Sequence, residues 1–161
     1  MKISLTIVLS AILFSAVGQD ATPDSIVFRE RLDRFINREF LKLKSDTVLN
    51  RLKAWYGTKL NSLGSCLVVF SHGNLKPAEL ASMTARIQEF AELLFEEGTP
   101  IYLSIGGSQS VEWSAEQQKK NRKSNLTFVS LGNYCVVEKR EGEFESIFNR
   151  KTLDLLGIEK L

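Results

Sequence analysis

A three-layer α/β domain, built on a mainly parallel sheet of about four strands and preceded by an N-terminal helical hairpin, is the fold class the sequence predicts. Two observations predict it. Apolar, β-prone runs at "CLVVF" (66–70), "TPIYLSI" (99–105), "LTFVSL" (126–131) and "YCVVEK" (134–139) are spaced by amphipathic or polar stretches. Strand, long helix, strand, short helix, strand is also the order that right-handed crossovers assemble into parallel sheets. The Gly132-Asn133 step between the last two runs suits a two-residue hairpin as well. It keeps open an α+β alternative, with helices on one face of a mixed or antiparallel sheet.

The chain opens with Lys2, an uncharged run from Ile3 to Val17, and small residues at Ala16 and Gly18, the pattern of a signal peptide cleaved after Gly18. Residues 1–18 are thus expected to be removed, leaving 19–161 as one secreted domain. The run is shorter than the roughly 20 residues of a membrane span, and no later stretch is apolar for long enough, so no transmembrane segment is expected. From Phe28, the spacing of Leu32, Phe35, Ile36, Phe40 and Leu43 predicts one helical face. Ser45-Asp46 offers the cap of a second helix carrying Val48, Leu49, Leu52, Trp55 and Tyr56, with Gly57 as its stop.

"CLVVF" reads as a strand covered on both faces. Asn74 to Pro77 supplies cap chemistry for a long helix through Leu80, Met83, Ile87, Phe90, Ala91 and Leu94, ending at Gly98. Ile101, Leu103 and Ile105 then alternate with Tyr102 and Ser104, as in a strand. Ser114 with Gln117 forms a capping-box pattern before a short polar helix. Phe144, Ile147, Phe148, Leu153, Leu155 and Leu156 place a partly helical segment at the end.

Charge and cysteine usage narrow the function. The formal charge of +2, from 21 basic and 19 acidic residues, argues against a nucleic-acid partner, which calls for a concentrated basic excess. Cys66 and Cys135 in an oxidising compartment imply one disulfide. Two buried thiols are the alternative, because both sit in apolar runs where free Cys packs well. Asn125-Leu126-Thr127 is an acceptor sequence for N-glycosylation.

If the sheet is parallel, ligands bind outside the carboxyl ends of its strands. Those ends carry Ser71, His72 and Asn74, then Ser108 and Gln109, then Asn133, and together they form the candidate rim. Ser71 and His72 are the weak candidates for catalysis. A nucleophile elbow needs small residues on both sides of the Ser, yet Val69 stands two before it, and a triad needs a separate His, whereas His72 is the sole histidine. One His and two cysteines do not assemble a zinc site, and no cofactor motif occurs. Two basic clusters remain: Arg31, Arg34, Arg38 and Lys42 on one face of the first helix, and Lys119, Lys120, Arg122 and Lys123 within five residues. Each suits a sulfated glycan or an anionic surface, and each is also what a solvated helix face or turn presents.

From Cys66 to about Ile147, the order "CLVVFSHGN", long helix, "GTPIYLSIGG", short polar helix, "LTFVSLGNYCVVE" and "EFESI" resembles the second half of a von Willebrand factor A domain. The resemblance implies a parallel sheet flanked by helices. The family's Asp-x-Ser-x-Ser metal corner has no counterpart before Cys66, and His72 stands where its metal-linked Asp would be, so adhesion through a divalent ion is not implied. These readings converge on a secreted, non-enzymatic domain that binds an extracellular protein or anionic glycan. The alternatives are a small hydrolase centred on Ser71 and His72, or a lipid carrier lined by Phe28, Phe35, Phe40, Trp55 and Tyr56.

Overall fold

The computed structural model describes residues 35–105, 117, 119, 125–131 and 139–159. Its elements are α1 (Thr47–Tyr56), α2 (Leu63–His72), α3 (Pro77–Glu96), β1 (Ile101–Ile105), β2 (Thr127–Leu131) and α4 (Lys139–Leu156). The fold is mixed α/β. β1 and β2 pair in parallel, from Ile101 opposite Thr127 to Ile105 opposite Leu131, and among the described residues the sheet has these two strands.

α3 is the element that the others pack against: α1, α2, α4 and β1 all contact it. Its inward positions Met83, Ile87, Phe90, Ala91 and Leu94 are buried at helical spacing. Pro77 opens it, where a missing N–H costs nothing, and Gly98, at φ 74°, turns the chain into β1. α1 lies along the first half of α3. Its cap Asp46 sits beside Ser82 and Arg86, and its last residue, Tyr56, accepts the Asn74 N–H at 3.1 Å. Gly57, at φ 65°, ends α1 as the sequence implies.

Residues 38–45 form a strap along the second half of α3. Arg38 pairs with Glu97 at 2.6 Å, Phe40 packs edge-on to Phe90 with centroids 5.1 Å apart, and the Phe40 N–H reaches the Asn61 carbonyl at 2.8 Å. The Lys44 peptide is held on both sides. Its N–H donates to Glu89 Oε1 at 2.5 Å, and its carbonyl accepts from Arg86 Nη2 at 2.6 Å. Arg86 and Glu89 are 7% and 9% exposed, so two charges have been taken out of water largely to clamp one residue of main chain.

α4 runs antiparallel to β1 and closes the strand edge that β2 leaves open. Asn149 acts as a substitute peptide, its Oδ1 accepting the Leu103 N–H and its Nδ2 donating to the Leu103 carbonyl, both at 2.7 Å. One turn earlier, Glu145 Oε2 accepts the Ile105 N–H at 2.8 Å. An unpaired edge invites another strand; here helix side chains occupy it.

Two expectations need correcting. "CLVVF" lies in α2, a helix rather than a strand. Ser62 and Ser65 cap its start reciprocally, and Leu63, Cys66, Val69 and Phe70 fall on its buried side while Val68 and His72 face out. A short apolar run fits a buried helix as well as a strand, and flanking caps decide between them. Of the other runs, 101–105 and 127–131 are strands, while 134–138 lie outside the described residues and Lys139 opens α4. The first helix does not reach Leu43: Phe35 and Ile36 are helical, and from Arg38 the chain is the extended strap. Seating Phe40 on Phe90 and Lys44 on the Arg86–Glu89 pair satisfies that backbone without a helix. Residues 28–34 lie outside the described set. Cys66 is a free, buried thiol, 3.6 Å from the Leu60 carbonyl, and burial pushes its pKa up to about 12. Cys135, the other half of the expected disulfide, lies outside the described residues.

Candidate functional site

The end of α2 meets the ends of α1 and α4 at one corner. Ser71 and His72 close α2, and successive residues on a helix point about 100° apart. Ser71 faces inward, 7% exposed, with no hydrogen-bond partner for its Oγ among the described residues. His72 is exposed. Beyond them, Arg140 from the first turn of α4 donates to the Gly73 carbonyl at 2.6 Å and approaches the Phe70 carbonyl at 3.5 Å. A guanidinium thereby satisfies carbonyls that a helix end leaves without partners.

Of the expected rim, Ser71, His72 and Asn74 lie at the end of a helix and not of a strand. Ile105 and Leu131 end side by side, and α4 ties that edge to Ser71, His72 and Asn74 through Arg140. Asn74 is exposed. Ser108, Gln109 and Asn133 lie outside the described residues, as do Lys120, Arg122 and Lys123; Lys119 is helical and exposed, and Asn125 is exposed. The basic helix face is not formed as expected, because Arg38 and Lys42 sit on the strap and Arg38 is committed to Glu97.

The same corner gathers a set of cations that the motif search passed over. Residues 47–78 contain no Asp or Glu, while they carry Arg51, Lys53, Lys59 and Lys76. All four are exposed, and none is in an ion pair among the described residues. The Tyr56–Asn74 hydrogen bond draws their two chain segments together. Lys59 is three residues from Tyr56 and Lys76 two from Asn74, hence within about 11 Å and 7 Å of that contact even on a fully extended chain. Lys53 and Arg51 lie on the last turns of α1. Trp55, at 83% exposure, lies one turn after Arg51 on the outward side of α1, with Lys53 on the other flank of the helix. The acid-free run was legible in the sequence, but only the hydrogen bond makes it one surface.

Two open grooves lie elsewhere. One of about 440 Å³ runs between α4 and β1, lined by Tyr102, Glu145, Asn149, Arg150 and Asp154 among others. Burial pushes the Glu145 carboxyl above its ordinary range, with the Ile105 N–H opposing. Burial, and then the Glu145 charge, raises the Tyr102 phenol. The second groove, of about 320 Å³, lies beside the strap at Asp46, Ser82, Arg86 and Glu89. Burial pushes Asp46 up, but N–H groups of Leu49 and Val48, the Ser82 hydroxyl and the Arg86 charge together hold it below its ordinary value. Among the described residues no three His, Cys, Asp or Glu side chains are placed to hold a metal ion, and no helix is long and apolar enough to cross a membrane.

Compared with family models, curated proteins and solved structures, the chain matches none. Its function must be read from the corner itself.

Proposed function

We propose that the chain is a secreted, non-enzymatic binding domain for an anionic extracellular partner, an anionic glycan or an acidic face of an extracellular protein. The observation that carries this reading is the cation-rich corner: four exposed cations, none in an ion pair among the described residues, on the two chain segments that the Tyr56–Asn74 contact joins, against the Glu79 carboxylate that accepts the Lys76 N–H, in a chain whose formal charge is only +2. Like charges brought together in excess of counter-charges raise the local potential and attract an opposite one. Arg140, drawn in to the end of α2, adds a further positive group from the other side.

The alternatives find less support. A hydrolase would need Ser71 and His72 to face each other, and on α2 they point about 100° apart, one buried and one exposed. A carrier would need room among the aromatics, yet Phe40 fills its place against Phe90, Tyr56 is held at Asn74, and Trp55 points outward.

The test is retention on immobilised heparin. A variant with Arg51→Gln, Lys53→Gln, Lys59→Gln and Lys76→Gln is expected to elute at clearly lower salt than the parent. Neutralising Lys119, Lys120, Arg122 and Lys123 instead is expected to have the smaller effect. Equal elution of the parent and the first variant would remove the corner as the binding surface.

A further inference from the structure

We infer that Trp55 is a stacking platform for a sulfated glycan, with Arg51 on its side of α1, and Lys59 and Lys76 near the end of that helix, to hold the sulfates. The inference rests on the anion-binding reading of this corner and adds the chemistry of the partner. An indole buries about 150–250 Å² when it packs into a core, and Trp55 forgoes nearly all of that at 83% exposure. Its neighbour Tyr56 does the opposite, turning in to the Asn74 N–H.

The space beside the indole is open. Ala54 before it is small and exposed, and a Cβ added to Gly57 after it would meet nothing within 4 Å. Arg51 precedes Trp55 by four residues, one helical turn, so its guanidinium and the indole share the outward side of α1.

The two halves of this surface select a partner together. Cations alone attract any polyanion, including the acidic face of a protein. An exposed aromatic ring adds a negatively polarised face, and what stacks on it while bringing dense negative charge is a sugar ring: the C–H bonds of a pyranose face carry the complementary positive polarisation, and its sulfates lie at the edge, within reach of the lysines. A carboxylate-rich protein surface supplies the charge without the flat C–H face. The geometry therefore points to a sulfated glycan over an acidic protein.

The experiment uses the full chain with two probes, a heparin hexasaccharide and polyglutamate, and follows affinity by calorimetry and the Trp55 indole N–H resonance by NMR. Trp55 is on the surface, so Trp55→Ala is expected to fold, which its melting temperature verifies. It should weaken hexasaccharide binding about tenfold, the scale of one aromatic stacking contact, and leave polyglutamate binding unchanged. Trp55→Phe should recover most of the loss, and the hexasaccharide should shift the indole resonance of the parent. Equal hexasaccharide affinity in Trp55→Ala with an unmoved indole resonance would overturn the platform while the anion-binding reading stands, as would binding of polyglutamate without the hexasaccharide. Failure of the parent to bind either polyanion would overturn the anion-binding reading itself.

Discussion

At the scale of single residues, Glu145 shows how one carboxyl can serve the fold at a cost. It accepts the Ile105 N–H at the sheet edge, yet burial raises its pKa above the usual 4.5. A group whose folded pKa exceeds its unfolded one binds protons more readily when folded, so stability rises as pH falls through the folded value and levels off below the unfolded one. At pH 7 the ionised carboxyl is therefore a liability that protonation relieves. Glu145→Gln keeps an oxygen to accept the Ile105 N–H and removes the charge. It is expected to melt about 2 °C higher than the parent at pH 7, the scale of a partly screened charge, and at the parent's temperature near pH 4. Thermal scans across that window check it, and a variant that melts lower at pH 7 would show that the charge-assisted bond outweighs burial. Gly64 makes a steric point at the same scale. A Cβ there would sit 2.6 Å from the Ile36 side chain, so the start of α2 can pack against Ile36 only because this residue has none.

At the scale of elements, the strap differs in kind from the helices around it. It has no ladder of its own; one aromatic anchor, one exposed ion pair, the Phe40 N–H bond to the Asn61 carbonyl and the two bonds to Lys44 hold it. Segments with few buried apolar contacts open at lower free energy than the global fold. The Lys44 and Phe40 amides are thus expected to exchange together, and faster than Leu103, whose N–H is locked to Asn149. Arg38→Gln, which removes an exposed partner of Glu97, should speed both strap amides about two- to threefold, as loss of a surface pair worth about 0.5 kcal/mol implies, and leave Leu103 unchanged. Hydrogen exchange read residue by residue tests this, and equal protection at Phe40, Lys44 and Leu103 would make the strap part of the global unit. The strap also marks where sequence reasoning stops. Caps and periodicity located α1, α3 and β1 because Asp46, Gly57, Pro77 and Gly98 act locally. "CLVVF" and Phe40–Leu43 went astray because their conformations answer to more than the apolar run itself: α2 to its flanking Ser62–Ser65 cap and the core it faces, the strap to Phe90, Arg86 and Glu89 across some 45 residues of chain. Of the candidate site, the Ser71–Asn74 corner was legible in its polar letters, whereas the inward turn of Ser71 was not, since it follows from the helix that the strand reading missed.

At the scale of the whole molecule, near-neutral charge conceals a separation. Residues 47–78 are basic without a single carboxylate, whereas Glu79, Glu89, Glu92, Glu96 and Glu97 face only Arg86 in the next stretch of chain. Glu79 caps the start of α3 at the Lys76 N–H, while Glu89, Glu92, Glu96 and Glu97 carry the rest of that acidity toward its far end, about 30 Å from its start at 1.5 Å per residue. With a screening length of about 8 Å at physiological salt, the two ends hardly sense each other, and a partner at the corner meets four cations against the Glu79 carboxylate. Net charge is then a poor guide to binding, and salt becomes the means of separating function from fold. The ion pairs Arg38–Glu97 and Lys151–Glu92 are partly exposed and individually worth at most about 1 kcal/mol, while the Arg86–Glu89 clamp is buried and weakly screened. Raising sodium chloride from about 0.05 to 0.5 M should release the protein from heparin by screening the corner and move its melting temperature by only about 2 °C. Retention that survives 0.5 M salt would place the contact in short-range packing instead of the field of the four cations. A melting temperature that falls with the loss of binding would mean that the corner's charges hold the fold together, and then they could not be varied for recognition independently of it.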